Sequence, residues 1–132
     1  MSNDFTIEII TPTNQIDLGN ANYLRLPGLN GLFGVMSNHT SILVSLGIGE
    51  IKIEKSGNTE YLATSGGVLD FNNNNAQLLL ETVEQASDID LERAKHSQKR
   101  AKDRLENTKI DRGRTEMALI KAINRLKVAK RS

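Results

Sequence analysis

The chain has 132 residues, 38% of them apolar, a formal net charge of +1 and no cysteine. That bounds it to one ordinary domain, or a small domain with an appendage, and excludes disulfides and thiolate metal sites. No run approaches the ~20 apolar residues that a bilayer span needs, and the start MSNDFTIEII reads as neither a secretory signal nor a transit peptide.

The near-neutral charge averages two unlike segments. Up to residue 84, nine acids face three bases; from residue 85 on, fourteen bases face seven acids. All five aromatic residues precede residue 72, and only Gly113 of the ten glycines lies beyond Gly67. The break divides the chain into a domain over 1–84 and a second over 85–132.

The first segment reads as β-structure. In FTIEII, Phe5, Ile7 and Ile9 alternate with polar neighbours, which predicts a half-buried strand, and TPTNQ then supplies turn residues. YLRLP alternates again up to Pro27. GLNGLFG spaces Gly28, Gly31 and Gly34 three apart, which predicts a tight loop and no strand. GEIKIEKSGNTEYLAT predicts a hairpin that turns at Ser56-Gly57-Asn58, with Ile51 and Ile53 facing inward. FNNNNA predicts a second hairpin turn, because asparagine tolerates the left-handed conformation. Many short strands between glycine-rich turns argue a sandwich or barrel.

The second segment reads as two helices. Leu91, Ala94, Ala101 and Leu105 recur at helical spacing, as do Leu119, Ala122, Ile123 and Leu126 after Met117. NTKIDRG (107–113) separates them, with Gly113 as the break. The fold class is therefore α+β: an N-terminal β-domain, sandwich or barrel, followed by a C-terminal antiparallel two-helix hairpin. The apolar faces of the hairpin are rich in alanine (Ala94, Ala101, Ala118, Ala122, Ala129). Alanine buries little area at ~25 cal/mol per Å², so the helices are expected to undock well below the global unfolding energy.

Chemistry-bearing motifs are sparse. The histidines are His39 and His96, and no H-E-x-x-H, EF-hand, Walker loop or G-x-S-x-G elbow occurs. His39 in SNHTS suggests a loop histidine bonded to its own turn more than a hydrolase base. The basic second segment raises phosphate binding, and a stand-alone nucleic-acid-binding β-domain with a basic helical tail is the alternative reading. Against it, that segment has no aromatic residue for base stacking. In DIDLERAK (88–95), Ser87 followed by Asp90 fits a helix N-cap, and Asp90 and Arg93 are spaced for an ion pair.

Four pieces together resemble the epsilon subunit of bacterial and plastid F-type ATP synthases: GLFGVMSNHTSIL, LGIGEIKI, SGGVLDF, and DIDLERA followed by ALIKAINRLKVA. The likeness covers nearly the whole chain; Ser37 and Ser41 stand where that family usually has proline. It implies, of the two, the sandwich: an N-terminal antiparallel β-sandwich of about ten strands followed by a C-terminal antiparallel two-helix hairpin. It implies a non-catalytic subunit of the central stalk, peripheral at the cytoplasmic face of the bacterial inner membrane, touching the membrane only through the complex. The implied partners are the gamma subunit and c ring, reached through a loop holding Gly31, Leu32, Gly34 and His39, and the alpha/beta catalytic head when the hairpin extends to inhibit hydrolysis. No nucleic acid and no required cofactor are implied. Some bacterial members bind ATP as a regulatory ligand through an [IL]-D-x-x-R-A motif. Ile89, Asp90, Arg93 and Ala94 match it, Glu84, Arg100 and Arg125 match flanking contacts, and Lys121 replaces an arginine. Lysine keeps the charge but loses the bidentate fork for phosphate.

Overall fold

The computed structural model describes residues 4–107 and 112–131. The strands are β1 (Phe5–Ile10), β2 (Gln15–Ala21), β3 (Tyr23–Gly28), β4 (Gly31–Met36), β5 (Ile42–Leu46), β6 (Gly49–Lys55), β7 (Asn58–Thr64), β8 (Gly67–Asn72), β9 (Asn75–Leu80) and β10 (Val83–Gln85). A 3-10 turn (Ala86–Asp88), α1 (Leu91–Asn107) and α2 (Arg112–Ala129) follow.

The ten strands form one sheet in the order β10-β7-β6-β3-β5-β8-β9-β1-β2, with β4 paired to β3 off that path. All pairs are antiparallel except β1 with β9. β3 joins the layers: Tyr23–Arg25 pair with β6, and Gly28 pairs with Leu46 of β5. The sheet thus folds over a core that includes Phe5, Ile7, Ile9, Leu24, Leu26, Ile51, Ile53, Leu69, Phe71 and Leu78, all at most 2% exposed. Phe5 meets Phe71 edge to face with centroids 5.5 Å apart. The alternation read from FTIEII and GEIKIEK is the one that is buried.

Both hairpin turns form where the sequence places them. Ser56-Gly57 links β6 to β7, with Gly57 at φ +73°. Asn73 and Asn74 link β8 to β9 at φ 50° and 55°, the two left-handed residues of a type I′ turn. The loop expected over GLNGLFG is corrected: Gly31–Met36 is strand β4, and only Leu29-Asn30 turns. Glycine is a poor strand former in general, but here the absent side chain makes room. A Cβ on Gly34 would lie 2.7 Å from the Tyr23 hydroxyl.

Two expectations for the helices also change. The cap of α1 is Asp90 and not Ser87, which lies inside the 3-10 turn. The Asp90 carboxylate accepts from the Arg93 backbone N–H at 3.2 Å, and its carbonyl accepts from Ala94 at 2.9 Å. Gly113 is the second residue of α2 and does not break it. Residues 108–111 of the expected connection, and the Leu105 side chain, lie outside the described residues. Ala94, Ala122 and Ala129 are buried as expected, whereas Ala118 is exposed, and Met117 and Ile123 point outward at 48% and 45% exposure.

Candidate functional site

The hairpin lies on the sandwich through the end at which α1 starts and α2 finishes. Ala94 and Val128, both fully buried, share a cluster with Ala63, Ala86, Ile89 and Ala129, which makes the helices antiparallel. Four of those six residues are alanines, so the apolar grip is small. Polar contacts add to it. The Asn124 side-chain amide donates to the Gly49 carbonyl at 2.8 Å. Arg125 on α2 donates to both oxygens of Glu84 on β10, at 2.5 and 2.9 Å. The hydrogen bond to Glu84 raises the Arg125 pKa, with burial acting the other way. Just past α2, Arg131 donates to both oxygens of Glu50 at 3.1 and 3.4 Å, and its guanidinium stacks 4.9 Å from the Tyr61 ring centroid.

These contacts locate the residues singled out from the sequence. Glu84, Lys121 and Arg125 come together around a cavity of about 70 Å³ that Ile48, Ala63, Thr64, Ser65, Thr82 and Asn124 also line. Ile89 and Ala94 are core residues of the hairpin interface. Asp90 caps α1. Its side chain bonds backbone and not the Arg93 guanidinium, so the ion pair expected at that spacing gives way to the cap. Arg93 is exposed on the first turn of α1. Arg100 lies seven residues on, also exposed, and donates to Ser97 at 3.4 Å. The cavity lining does not include Asp90, Arg93 or Arg100.

The sequence reading missed the Glu50–Arg131 contact. Glu50 sits on β6 across from Ala63, on the face opposite to the inward-facing Ile51 and Ile53, and the end of the hairpin covers it there. Alternation in GEIKIEK puts Glu50 on the same face as Lys52 and Glu54, a polar pattern that reads as solvent-facing, so the sequence carried no signal that the hairpin covers this acid.

The residues expected to contact the rotor lie on β4 and just after it. His39 follows β4, and its Nδ1 is 2.7 Å from the Thr40 carbonyl, as a histidine bonded to its own turn should be. Its ring packs edge to face on Phe33 and Phe71. Gly31, Leu32 and Gly34 are on β4. Leu32, Leu29 and Leu43 line one groove at 73%, 68% and 71% exposure. Large apolar side chains concentrated this way mark a surface that meets another molecule. Among the described residues no group of three or more His, Asp or Glu is placed to hold a metal ion, and no helix is long and apolar enough to cross a membrane.

The fold is a ten-stranded sandwich followed by a two-helix hairpin, and comparison with known proteins gives its class. Residues 4–86 match the model described as ATP synthase, Delta/Epsilon chain, beta-sandwich domain, and residues 87–130 match ATP synthase, Delta/Epsilon chain, long alpha-helix domain. The chain belongs to the ATP synthase delta/epsilon family. Curated relatives are epsilon chains: that of Desulfitobacterium hafniense (strain Y51) is 34% identical over 131 residues, spanning 98% of this chain and 99% of its own. Those of Salinibacter ruber and Caldicellulosiruptor bescii are 39% identical over 80% of this chain and 77% of theirs, and 36% identical over 96% and 93%. The fold is shared with a chain in the structure of the Euglena gracilis mitochondrial ATP synthase, OSCP/F1/c-ring in rotational state 1. There the TM-score is 0.80 at 17% identity over 91% of this chain and 78% of that one. A Tetrahymena thermophila mitochondrial central stalk/c-ring chain matches with a TM-score of 0.57 at 12% identity, over 96% and 93%. Both halves match domains of a single ATP synthase chain, so the alternative of a separate nucleic-acid-binding module is set aside.

Proposed function

We propose that this chain is a non-catalytic subunit of the central stalk of a proton-translocating F-type ATP synthase, peripheral at the cytoplasmic face of a bacterial inner membrane. The sandwich docks on the gamma subunit and the c ring through the surface holding Leu29, Leu32 and Leu43. The hairpin is a conformational inhibitor. Folded on the sandwich it leaves the catalytic alpha/beta head free; extended along the stalk it meets that head and restrains ATP hydrolysis. The bases exposed on α1 suit acidic surfaces there.

One observation supports the switch most directly. The contact between hairpin and sandwich is built mostly from alanines and a few polar pairs that each keep at least one side chain partly exposed, whereas the sandwich core is built from Phe, Ile and Leu. A two-state element needs such an imbalance, so that its docking equilibrium lies within a few kcal/mol of zero.

ATP serves as the regulatory ligand and favours the folded hairpin, binding Glu84, Ile89, Asp90, Arg93, Ala94, Arg100, Lys121 and Arg125. Glu84, Lys121 and Arg125 already line one cavity. Arg93 and Arg100 sit two turns apart on α1, and Arg125 one turn beyond Lys121 on α2, so each pair follows one side of its helix. ATP shifts the hairpin only by its differential affinity for the folded form.

The test is ATPase activity of a reconstituted catalytic complex with the full chain and with a chain ending at Asp88. β10 reaches Gln85, so a cut at Val83 would damage the sheet as well as remove the hairpin. Faster hydrolysis with the shortened chain is expected. Equal rates would remove the inhibitory role and leave the stalk role standing.

A further inference from the structure

We propose that Glu50 is a shared carboxylate for which two arginines compete, and that this competition sets how often the hairpin leaves the sandwich. The proposal rests on the mobile hairpin argued above.

Glu50 lies on β6 with its side chain 3% exposed. Arg131, just beyond α2, takes Oε2 through Nε at 3.1 Å and leans on Oε1 at 3.4 Å. Arg25, on the neighbouring strand β3, reaches only Oε1, at 3.0 Å through one nitrogen. The Arg25 Nε is buried and has no partner. A buried guanidinium nitrogen left unsatisfied beside a carboxylate already held by another arginine is a cost that the docked state carries. When the hairpin leaves, Arg131 goes with it and Oε2 is vacated. Arg25 then takes both oxygens in the fork geometry that arginine and carboxylate prefer. One carboxylate thus has a partner in each state: Arg131 stabilises the docked hairpin, and Arg25 stabilises the sandwich that the hairpin has left.

Removing Arg25, a native contact of the docked structure, should tighten hairpin docking, because the undocked state loses more. The test is hydrogen exchange by mass spectrometry on the full chain, reading peptides of α2 against peptides of β6 and β8. Arg131→Met should speed exchange in α2 about tenfold. Arg25→Met should slow it about fivefold, with the sheet still unfolding in one cooperative step in urea. Should Arg25→Met fail to fold, Arg25→Lys replaces it: lysine keeps the charge but cannot chelate, and it should also slow exchange in α2. Unchanged or faster α2 exchange in the Arg25 variant overturns the competition. Wild-type α2 exchanging as slowly as β6 and β8 is a separate failure, since it removes the mobile hairpin itself.

Discussion

Arg125 on α2 grips Glu84 on β10 with two nitrogens on two oxygens, forty-one residues apart in sequence. The pair joins the last strand of the sandwich to the second helix of the hairpin. Both side chains are 35% exposed, so solvent screens the charge and the contribution is about 1 kcal/mol. Glu84→Gln should therefore raise the undocked population of the hairpin severalfold and leave the urea midpoint of the sheet nearly unchanged. Hydrogen exchange of α2, with and without added salt, measures it; salt should have less effect on the variant than on the native chain.

Asp90 has two roles to separate. As N-cap it satisfies the Arg93 N–H, and Asp90→Ala should cost α1 about 1 kcal/mol. Asp90→Asn keeps a capping oxygen, so helix content by circular dichroism should stay near native. Should ATP bind through the Asp90 charge as proposed, the asparagine variant loses ATP affinity without losing helix.

Lys121 stands at the cavity with Arg125 and Glu84. Lys121→Arg supplies a planar fork where the ammonium offers a point charge, and ATP should bind severalfold tighter by calorimetric titration. Arg93→Ala should weaken binding at least tenfold. No saturable binding up to several millimolar ATP in either the native chain or Lys121→Arg would end the sensing role.

Two glycines should respond differently to the same change. Gly67 opens β8 at φ +154°, and a Cβ there would lie 2.0 Å from the Leu79 carbonyl oxygen, a backbone atom. Gly67→Ala should lower stability by about 3 kcal/mol or prevent folding. Gly57 also has positive φ, at +73°, but faces open space. Gly57→Ala should cost about 1 kcal/mol. Urea unfolding of the two variants side by side checks the contrast.

Much of the fold was legible because its signals are local. Alternation in FTIEII and GEIKIEK named the buried faces, and the asparagine run named a turn that needs left-handed residues. The misreadings have one cause in common. Gly34 looked like loop because its use, clearing space for the Tyr23 ring on the paired strand, belongs to a neighbour eleven residues away. Ser87 looked like the cap because the 3-10 turn that displaces the start of α1 to Leu91 is set by docking of Ala86 and Ile89 against the sandwich.

The candidate site divides in the same way. The residues Ile89, Asp90, Arg93 and Ala94 stand out in one short motif, yet the structure gives two of them to the core and one to a helix cap. The sequence by itself determined the two segments, their opposite charge, the strand and helix periodicities, and an alanine-rich hairpin with a small apolar grip. Each of these is written in residues near one another in the chain. Only the tertiary structure decided which acid meets which base. Glu84 finds Arg125 and Glu50 finds Arg131 across 41 and 81 residues, because sheet and helices must first form before charges so far apart share a surface.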